Sequence, residues 1–396
     1  MNKTNFKLLI ILLFPIFTCS CWNYNELNEL AIATALGIDK KDGNYEISVT
    51  IANAINTQTS AKEGQSQITV LTGQGKTIST AMDQIDLKNP KHLYLNHLTG
   101  VFISEDVAKD GVNNILDLLL REPESRKRFF LLITKNEKAK DVLKILTALD
   151  ARPSQNIAAT IESSAQNQAI ATKLTYSNFI DNLITDGIQP VLNTIEIKGN
   201  KKKGEDYENV QSATPDATIK IGPLALFKDD KFKTFTNEKE SEGINIVLGH
   251  ANKLTVQTKC NDNYIVAFIN NIKSKTMVKL ENNKPSININ VNGKGELSEV
   301  NCNVDLMKNT VINKIKNDLE NETEKAIKKS IKKAQKNKTD VFAFGMITRA
   351  KYPKYYKKIK SKWDDEIFSN LKVKIKVTYD IETKGSLEQS IRKVEK

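Results

Sequence analysis

Apolar and polar positions change period several times along the 396 residues of the chain, and each change predicts a different element. The first apolar run, Leu8 to Phe17, is too short to stay as a spanning helix, which needs roughly twenty apolar residues. Between Ala31 and Ala54 the pattern predicts a strand, a turn at Lys41-Asp42-Gly43-Asn44, and a second, alternating strand from Tyr45 to Ile51. A polar loop over Asn56 to Gln67 follows. Strand Ile68 to Thr72, helix Thr77 to Leu87, strand Thr99 to Ile103, helix Val107 to Leu120, strand Arg128 to Thr134 and helix Ala139 to Leu146 then alternate. Such alternation predicts a layered α/β unit.

Residues 157 to 186 read as helical, and Ile188 to Gly199 as a strand. The run Lys198 to Asp206 has the composition of a solvated loop. Strands then follow from Thr218 to Phe227 and beyond the turn Lys228-Asp229-Asp230-Lys231, with a helix over Glu238 to Leu248. Runs at Val256 to Cys260, Tyr264 to Ser274, Thr276 to Glu281, Ser286 to Leu297 and Lys372 to Glu382 predict an antiparallel meander. Between its last two strands, Leu306 to Lys338 places Ile312, Ile315, Leu319, Ile327, Ile331 and Ala334 on one helical stripe. The other faces of that helix carry ten lysines against four acids, which suits a solvated face or a surface toward lipid or a partner. The pattern divides the chain into a leader over 1–20, an N-terminal α/β unit over 21–195, a small middle α/β unit over 196–250, and a C-terminal unit over 251–396 that combines an antiparallel sheet with the long amphipathic helix. The fold class is α/β with α+β.

The leader changes the picture most. Lys3 and Lys7 precede the apolar run, and Thr18-Cys19-Ser20-Cys21-Trp22 follows it, the arrangement of a bacterial lipoprotein signal. Ser20 is an acceptable small residue for cleavage and Thr18 a poorer one, so Cys21 rather than Cys19 is the expected mature first residue. It would carry an S-diacylglycerol group and an N-acyl group. Two acyl chains on one residue suffice for stable attachment, since each buried methylene contributes about 0.8 kcal/mol. No later run of eighteen apolar residues exists, and the composition is 39% hydrophobic and 27% charged. A membrane-tethered rather than membrane-embedded protein follows, and its length is enough for two or three cores.

Net charge is +12, and removing residues 1–20 takes away two lysines and no acid, leaving +10. That balance favours anionic headgroups or acidic partners. Nucleic acid is a poor fit, because no recognition motif with interleaved aromatics is present.

Candidate chemistry is sparse. Cys260 and Cys302 lie at the ends of strand-like runs, where either a bridge or two free thiols would suit an extracytoplasmic setting. His92, His97 and His250 are the only histidines, and they match no metal-ligand spacing. Gly75-Lys76-Thr77 resembles the end of a phosphate-binding loop, but Val70 stands where that loop requires glycine. The paired acids Asp229-Asp230 and Asp364-Asp365 suit turns and helix starts. No nucleophile elbow, zinc-protease helix or other catalytic motif is found, so no enzyme, cofactor or metal is expected.

Several stretches in order resemble the Ger(x)C family of spore-germination receptor C-subunit lipoproteins. They are Cys21-Trp22-Asn23-Tyr24-Asn25-Glu26-Leu27, Ala35 to Asp39, Gly75 to Ile78 with Ala81, His97-Leu98 before Val101-Phe102-Ile103, Leu119 to Pro123, and Ala139 to Leu143. Gly222 to Phe227, Glu242-Gly243, Asp340 to Gly345, Pro353, Trp363, Phe368 and the strand closing at Gly385 continue the series. Asn23 departs from the family's aspartate, and Ser20 from its glycine or alanine. The resemblance implies three domains with mixed sheets flanked by helices, and a non-enzymatic subunit on the outer face of the spore inner membrane beside A-type and B-type membrane subunits. Trp363 and Phe368 are expected in the core. A solute-binding lipoprotein of a transporter is the alternative, but it requires two similar lobes, whereas the three units here are unequal. A tethered hydrolase would require a nucleophile or metal motif.

Overall fold

The computed structural model describes residues 26–53, 68–121, 127–147 and 153–382. After a 3₁₀ turn at Leu27–Glu29 come β1 Leu30–Lys41, β2 Asn44–Ala52, β3 Ile68–Gly75, α1 Ile78–Asp86, β4 His92–Tyr94, β5 Gly100–Ser104, α2 Glu105–Asp110 and α3 Asn113–Arg121. Next are β6 Phe130–Thr134, α4 Ala139–Lys144, α5 Pro153–Asn167, α6 Tyr176–Ile184, β7 Val191–Gly199, α7 Lys201–Gly204, α8 Glu208–Gln211, β8 Ala217–Lys228, β9 Lys231–Phe235 and α9 Glu238–Leu248. The chain ends with β10 Lys253–Cys260, β11 Asn263–Glu281, β12 Lys284–Val300, α10 Asn309–Lys336, α11 Phe344–Lys351, α12 Pro353–Ile359 and β13 Lys372–Glu382. The predicted loop over Asn56 to Gln67 lies outside the described residues.

Two mixed sheets flanked by helices result. The first has nine strands in the order β3-β2-β1-β5-β6-β7-β8-β9, with β4 against the start of β1. Its centre, β1-β5-β6-β7, is parallel, and antiparallel strands extend it at both ends. The hairpin turn forms where predicted, because Asp42 and Gly43 both take positive φ, 50° and 78°, as a tight two-residue turn between twisted strands requires. β5 and β6 are buried at every position. On one face Phe102, Phe130 and Leu132 pack with Leu143, Ile157 and Ile161 of α4 and α5. On the other, Val101, Ile103, Leu131 and Ile133 pack with Ile78, Ile115 and Phe179. β7 runs through residue 195 and pairs with β8, so hydrogen bonds join the stretches on either side of that position.

The second sheet has the order β10-β11-β12-β13. Ile287, Ile289 and Val291 of β12 and Ile315, Leu319, Ile327 and Ile331 of α10 are buried in one hydrophobic core. The predicted stripe is thus the buried face of the helix, apart from the half-buried Ile312 at its start.

Several local expectations are corrected. The predicted helix over Val107 to Leu120 is two, broken at Gly111, where φ is 123°. The β8–β9 turn enters the break, with Val112 N–H donating to the Asp230 carbonyl and Asn113 N–H to the Asp230 carboxylate. The helical stretch 157 to 186 is likewise split, because the Asn193 side chain brackets Thr172 with bonds of 2.9 and 2.7 Å and holds that backbone extended beside β7. The loop at Lys198 to Asp206 contains one helical turn, capped by Asn200. Residues 264 to 281 form one strand rather than two. The small sheet is antiparallel only as far as β12: β13 pairs with β12 in parallel, since the helical crossover through α10 to α12 returns the chain to the same end.

Candidate functional site

A concentration of buried polar contacts lies where the two sheets meet. After α10 the chain turns through Asp340, a fully buried carboxylate followed by five buried residues. It accepts N–H bonds from Phe342, Phe344 and Gly345 at 3.2, 3.2 and 2.7 Å, and from the Trp363 indole at 2.8 Å. Collecting the backbone N–H groups at the start of α11 caps that helix. Burial pushes Asp340 up to about 7, against the opposing pull of the Gly345 and Trp363 donors.

The loop between α6 and β7 closes this joint from the first sheet. Gln189 N–H donates to the Asp340 carbonyl at 2.8 Å, and its side-chain amide donates to Asp364 at 2.8 Å. Met346 N–H donates to the Gly187 carbonyl at 2.9 Å. Gly187 has φ of 87°, and a Cβ there would lie 2.4 Å from the Gly345 backbone, so neither conformation nor space admits a side chain. Ion pairs rim the contact: Asp186 with Lys360, and Asp365 with Lys228 and Lys338, at 2.8, 2.8 and 3.3 Å.

A second polar corner lies at the end of β1. Asp39 is buried and accepts N–H bonds from Ala139 and Lys140 at 2.8 and 3.0 Å, which caps α4. Burial still holds it above the usual carboxylate range. For the neighbouring Glu46, burial acts upward, but bonds from Gln74 and Lys140 outweigh it and bring the group below its usual value. A Cβ on Gly37 would lie 2.9 Å from Leu143. The stretches Ala35 to Asp39 and Ala139 to Leu143, a hundred residues apart, are therefore two halves of one helix-on-sheet contact.

The other residues singled out in the sequence have structural placements. Thr77 caps α1 in a reciprocal arrangement with Thr80, which engages its hydroxyl locally. Asp230 caps α3, and Asp364 and Asp365 belong to the joint. Trp363 and Phe368 are buried as expected. His250 bonds Thr172 at 2.9 Å. Cys260 and Cys302 are paired as a disulfide, with Cα atoms 6.3 Å apart. Cys21 lies outside the described residues. Among the described residues no group of three or more His, Cys, Asp or Glu could hold a metal ion, and no helix is long and apolar enough to cross a membrane.

Among the described residues, two grooves of similar size stand out. One, of about 560 Å³, lies between α9, α10 and β10. Four of its charges pair with one another, Lys239 with Glu242 and Lys325 with Glu322, at 2.8 and 2.7 Å, and Lys259, Asp318 and Lys329 also line it. The other, of about 570 Å³, lies between the start of α1 and α3, where Arg121 pairs with Asp117. Both linings mix charged and apolar side chains, and neither is predominantly apolar as a typical small-molecule site is.

Sequence reasoning missed the Asp340 joint. The available signal was an aspartate five residues before a glycine at the start of a short helix.

Two family models match in order: the spore germination protein N-terminal domain over residues 23–197, and the spore germination B3/GerAC-like C-terminal domain over 223–385. The chain belongs to the GerAC-like family of spore germination proteins. It is 28% identical over 394 residues to spore germination protein KC of Bacillus subtilis (strain 168), covering 97% of each chain. It is also 28% identical over 397 residues to spore germination protein A3 of the same organism, covering 96% of this chain and 99% of that one. A crystal structure of the GerBC protein shares the fold, with a TM-score of 0.53 at 20% identity over 87% of this chain and 96% of the other. In GerAC-like terms the joint is built from Asp340 to Gly345 and Trp363 of the C-terminal domain, together with Gly187 and Gln189 of the N-terminal one.

Proposed function

We propose that this chain is the lipoprotein C subunit of a spore germinant receptor, a non-enzymatic part of the complex needed for its assembly and its response to nutrients. Its partners are A-type and B-type membrane subunits. It sits on the outer face of the spore inner membrane, held by acyl chains on Cys21. The observation that carries this reading is the ordered match of both GerAC-like domains across most of the chain, behind a lipoprotein signal. The joint at Asp340 supports a scaffold, because it locks two sheets together with buried bonds and its side chains are all used in doing so.

Deleting the gene should block germination with the nutrients of its own receptor and leave receptor-bypassing germination intact. Loss of both responses would point instead to a general role in spore structure. Cys21→Ala should abolish fatty-acid labelling; undiminished label would move the site or overturn the lipoprotein reading. Binding of an amino acid or sugar in the low micromolar range, measured by calorimetry, would favour a solute binder. Division into units at residues 195 and 250 is part of the same proposal, and limited proteolysis tests it by where the first cuts fall.

A further inference from the structure

The outer face of the small sheet has a charge pattern that the packing does not require. Strand register places Lys279, Ser286 and Lys372 side by side, then Met277, Asn288 and Lys374, then Lys275, Asn290 and Lys376, then Lys273, Asn292 and Thr378. All six of these lysines are exposed, whereas the residues between them along β11 and β13 and the alternate residues of β12 are buried or half-buried. Strands are about 4.8 Å apart and alternate residues about 7 Å apart, so two lysine columns flank a central column of short polar residues about 10 Å across. No Asp or Glu occupies any of the four ranks. Carboxylates return only beyond them, at Asp380 on one side and Glu281 on the other. The residues after β13, 383–396, carry four basic and two acidic side chains, so this tail offers no net neutralising charge.

Like charges directly opposed or adjacent on a sheet are unfavourable, so a stretch without a single carboxylate points to a compensating anion outside the chain. Within the four ranks the only large apolar side chain is Met277; the exposed Phe268 lies on the same side of β11 but two ranks beyond Lys273. Protein interfaces concentrate aromatic and Arg anchors at their centres and are poor in lysine, so the four ranks lack an anchor of that kind at their centre. A plane of anionic headgroups needs no anchor or pocket, only cations presented on one surface.

We propose that this lysine and asparagine face docks on anionic phospholipid headgroups of the membrane that holds the chain. The inference rests on the lipid-anchored reading and adds to it an orientation: the small sheet lies against the bilayer, and the joint and large sheet are directed by that contact.

The test uses the full lipidated chain in vesicles of phosphatidylcholine alone or with about one third phosphatidylglycerol. Lysine acylation is followed site by site by mass spectrometry at low salt. The six face lysines should react about five-fold more slowly on the anionic vesicles, while Lys325, Lys328 and Lys332 of α10 react equally on both. Salt of about 0.5 M should abolish the difference, since it shortens the screening length to a few ångströms. Lys275→Glu, Lys374→Glu and Lys376→Glu together, all exposed, should also remove it and leave the melting curve unchanged.

Equal rates on both vesicles, or slowing shared by the α10 lysines, would overturn the proposal. Protection found only in native membranes that contain the receptor's other subunits would overturn it in favour of an acidic protein partner. Flotation with anionic vesicles alone would support the face but overturn the anchor. Flotation with neither would overturn both.

Discussion

In the large sheet β5 and β6 bury every residue, whereas in the small sheet β12 buries Ile287, Ile289 and Val291 and leaves Asn288 and Asn290 half-exposed between them. The sequences differ accordingly. Val101-Phe102-Ile103 and Phe129 to Ile133 are continuous apolar runs, as strands covered by helices on both faces require, while β12 alternates as a strand covered on one face does. The comparison teaches where this molecule is free to interact. A sheet sandwiched between helices has only edges and loops to offer, but a half-covered sheet keeps one whole surface open, and its polar residues are not constrained by the core.

The joint between the two regions should show the largest effect. Trp363→Ala removes a fully buried indole and a donor to Asp340, and should cost about 5 kcal/mol, combining a large-to-small cavity with a stranded buried acceptor. Urea unfolding measures it. A loss under about 1 kcal/mol would mean that the two sheets do not depend on this contact.

The disulfide belongs to the small sheet alone. Cys260 and Cys302 are 42 residues apart and enclose β11 and β12. Closing such a loop in the unfolded chain is worth about 4 kcal/mol in the chain-entropy account. Cys302→Ser should therefore lower the melting temperature in oxidising buffer, and reductant should lower that of the unaltered protein by a similar amount. Reductant that shifts neither protein would show that the thiols are not bridged.

The same contrast explains how much of the fold was legible in the sequence. Elements with a sustained period were readable: the alternating strand of β2, its Asp-Gly turn, and the α10 stripe from Ile315 to Ala334. The split at Gly111 was not, because Asp230, more than a hundred residues away, supplies the groups that start α3. The parallel pairing of β13 was hidden for a related reason: alternation specifies a strand's face and leaves its neighbour open. Asp340 lay in a run of apolar residues that identified a buried segment without showing that four donors would converge on the carboxylate. The bridge stayed open at the level of sequence because two cysteines at strand ends suit free thiols equally well.

Asp340 makes the joint sensitive to pH. Its unfolded value is near 3.8 and its folded value is raised to about 7, so the folded state holds the proton more tightly. Its favourable contribution is complete below about pH 4 and is lost as pH rises through 7. The neighbouring Asp364 is also raised by burial and acts in the same direction. Stability measured from pH 4 to pH 8 should decline for the unaltered protein, and Asp340→Asn should flatten part of that decline while costing about 2 kcal/mol at pH 5 through the loss of one acceptor. An unchanged slope in the variant would assign the pH dependence elsewhere.

The smallest effect in stability is expected on the open face of the small sheet, and its smallness is what gives the comparison meaning. Ile289 and Asn290 are consecutive, with the first fully buried in the core and the second on the open surface beside Lys275 and Lys376. Ile289→Ala should cost about 2 to 5 kcal/mol, as buried truncations do, whereas Asn290→Ala and Lys376→Ala should each stay within about 0.5 kcal/mol. Thermal melts of the three variants decide it. A large cost at Lys376 or Asn290 would mean that another part of the chain covers the face, and the surface would then be core rather than contact. A negligible cost at Ile289 would imply a register shifted by one residue, which would turn the asparagines inward and remove the lysine columns from the surface. Equal robustness at both outward positions, set against the loss at Ile289, is the result that leaves the face free to meet something outside the chain.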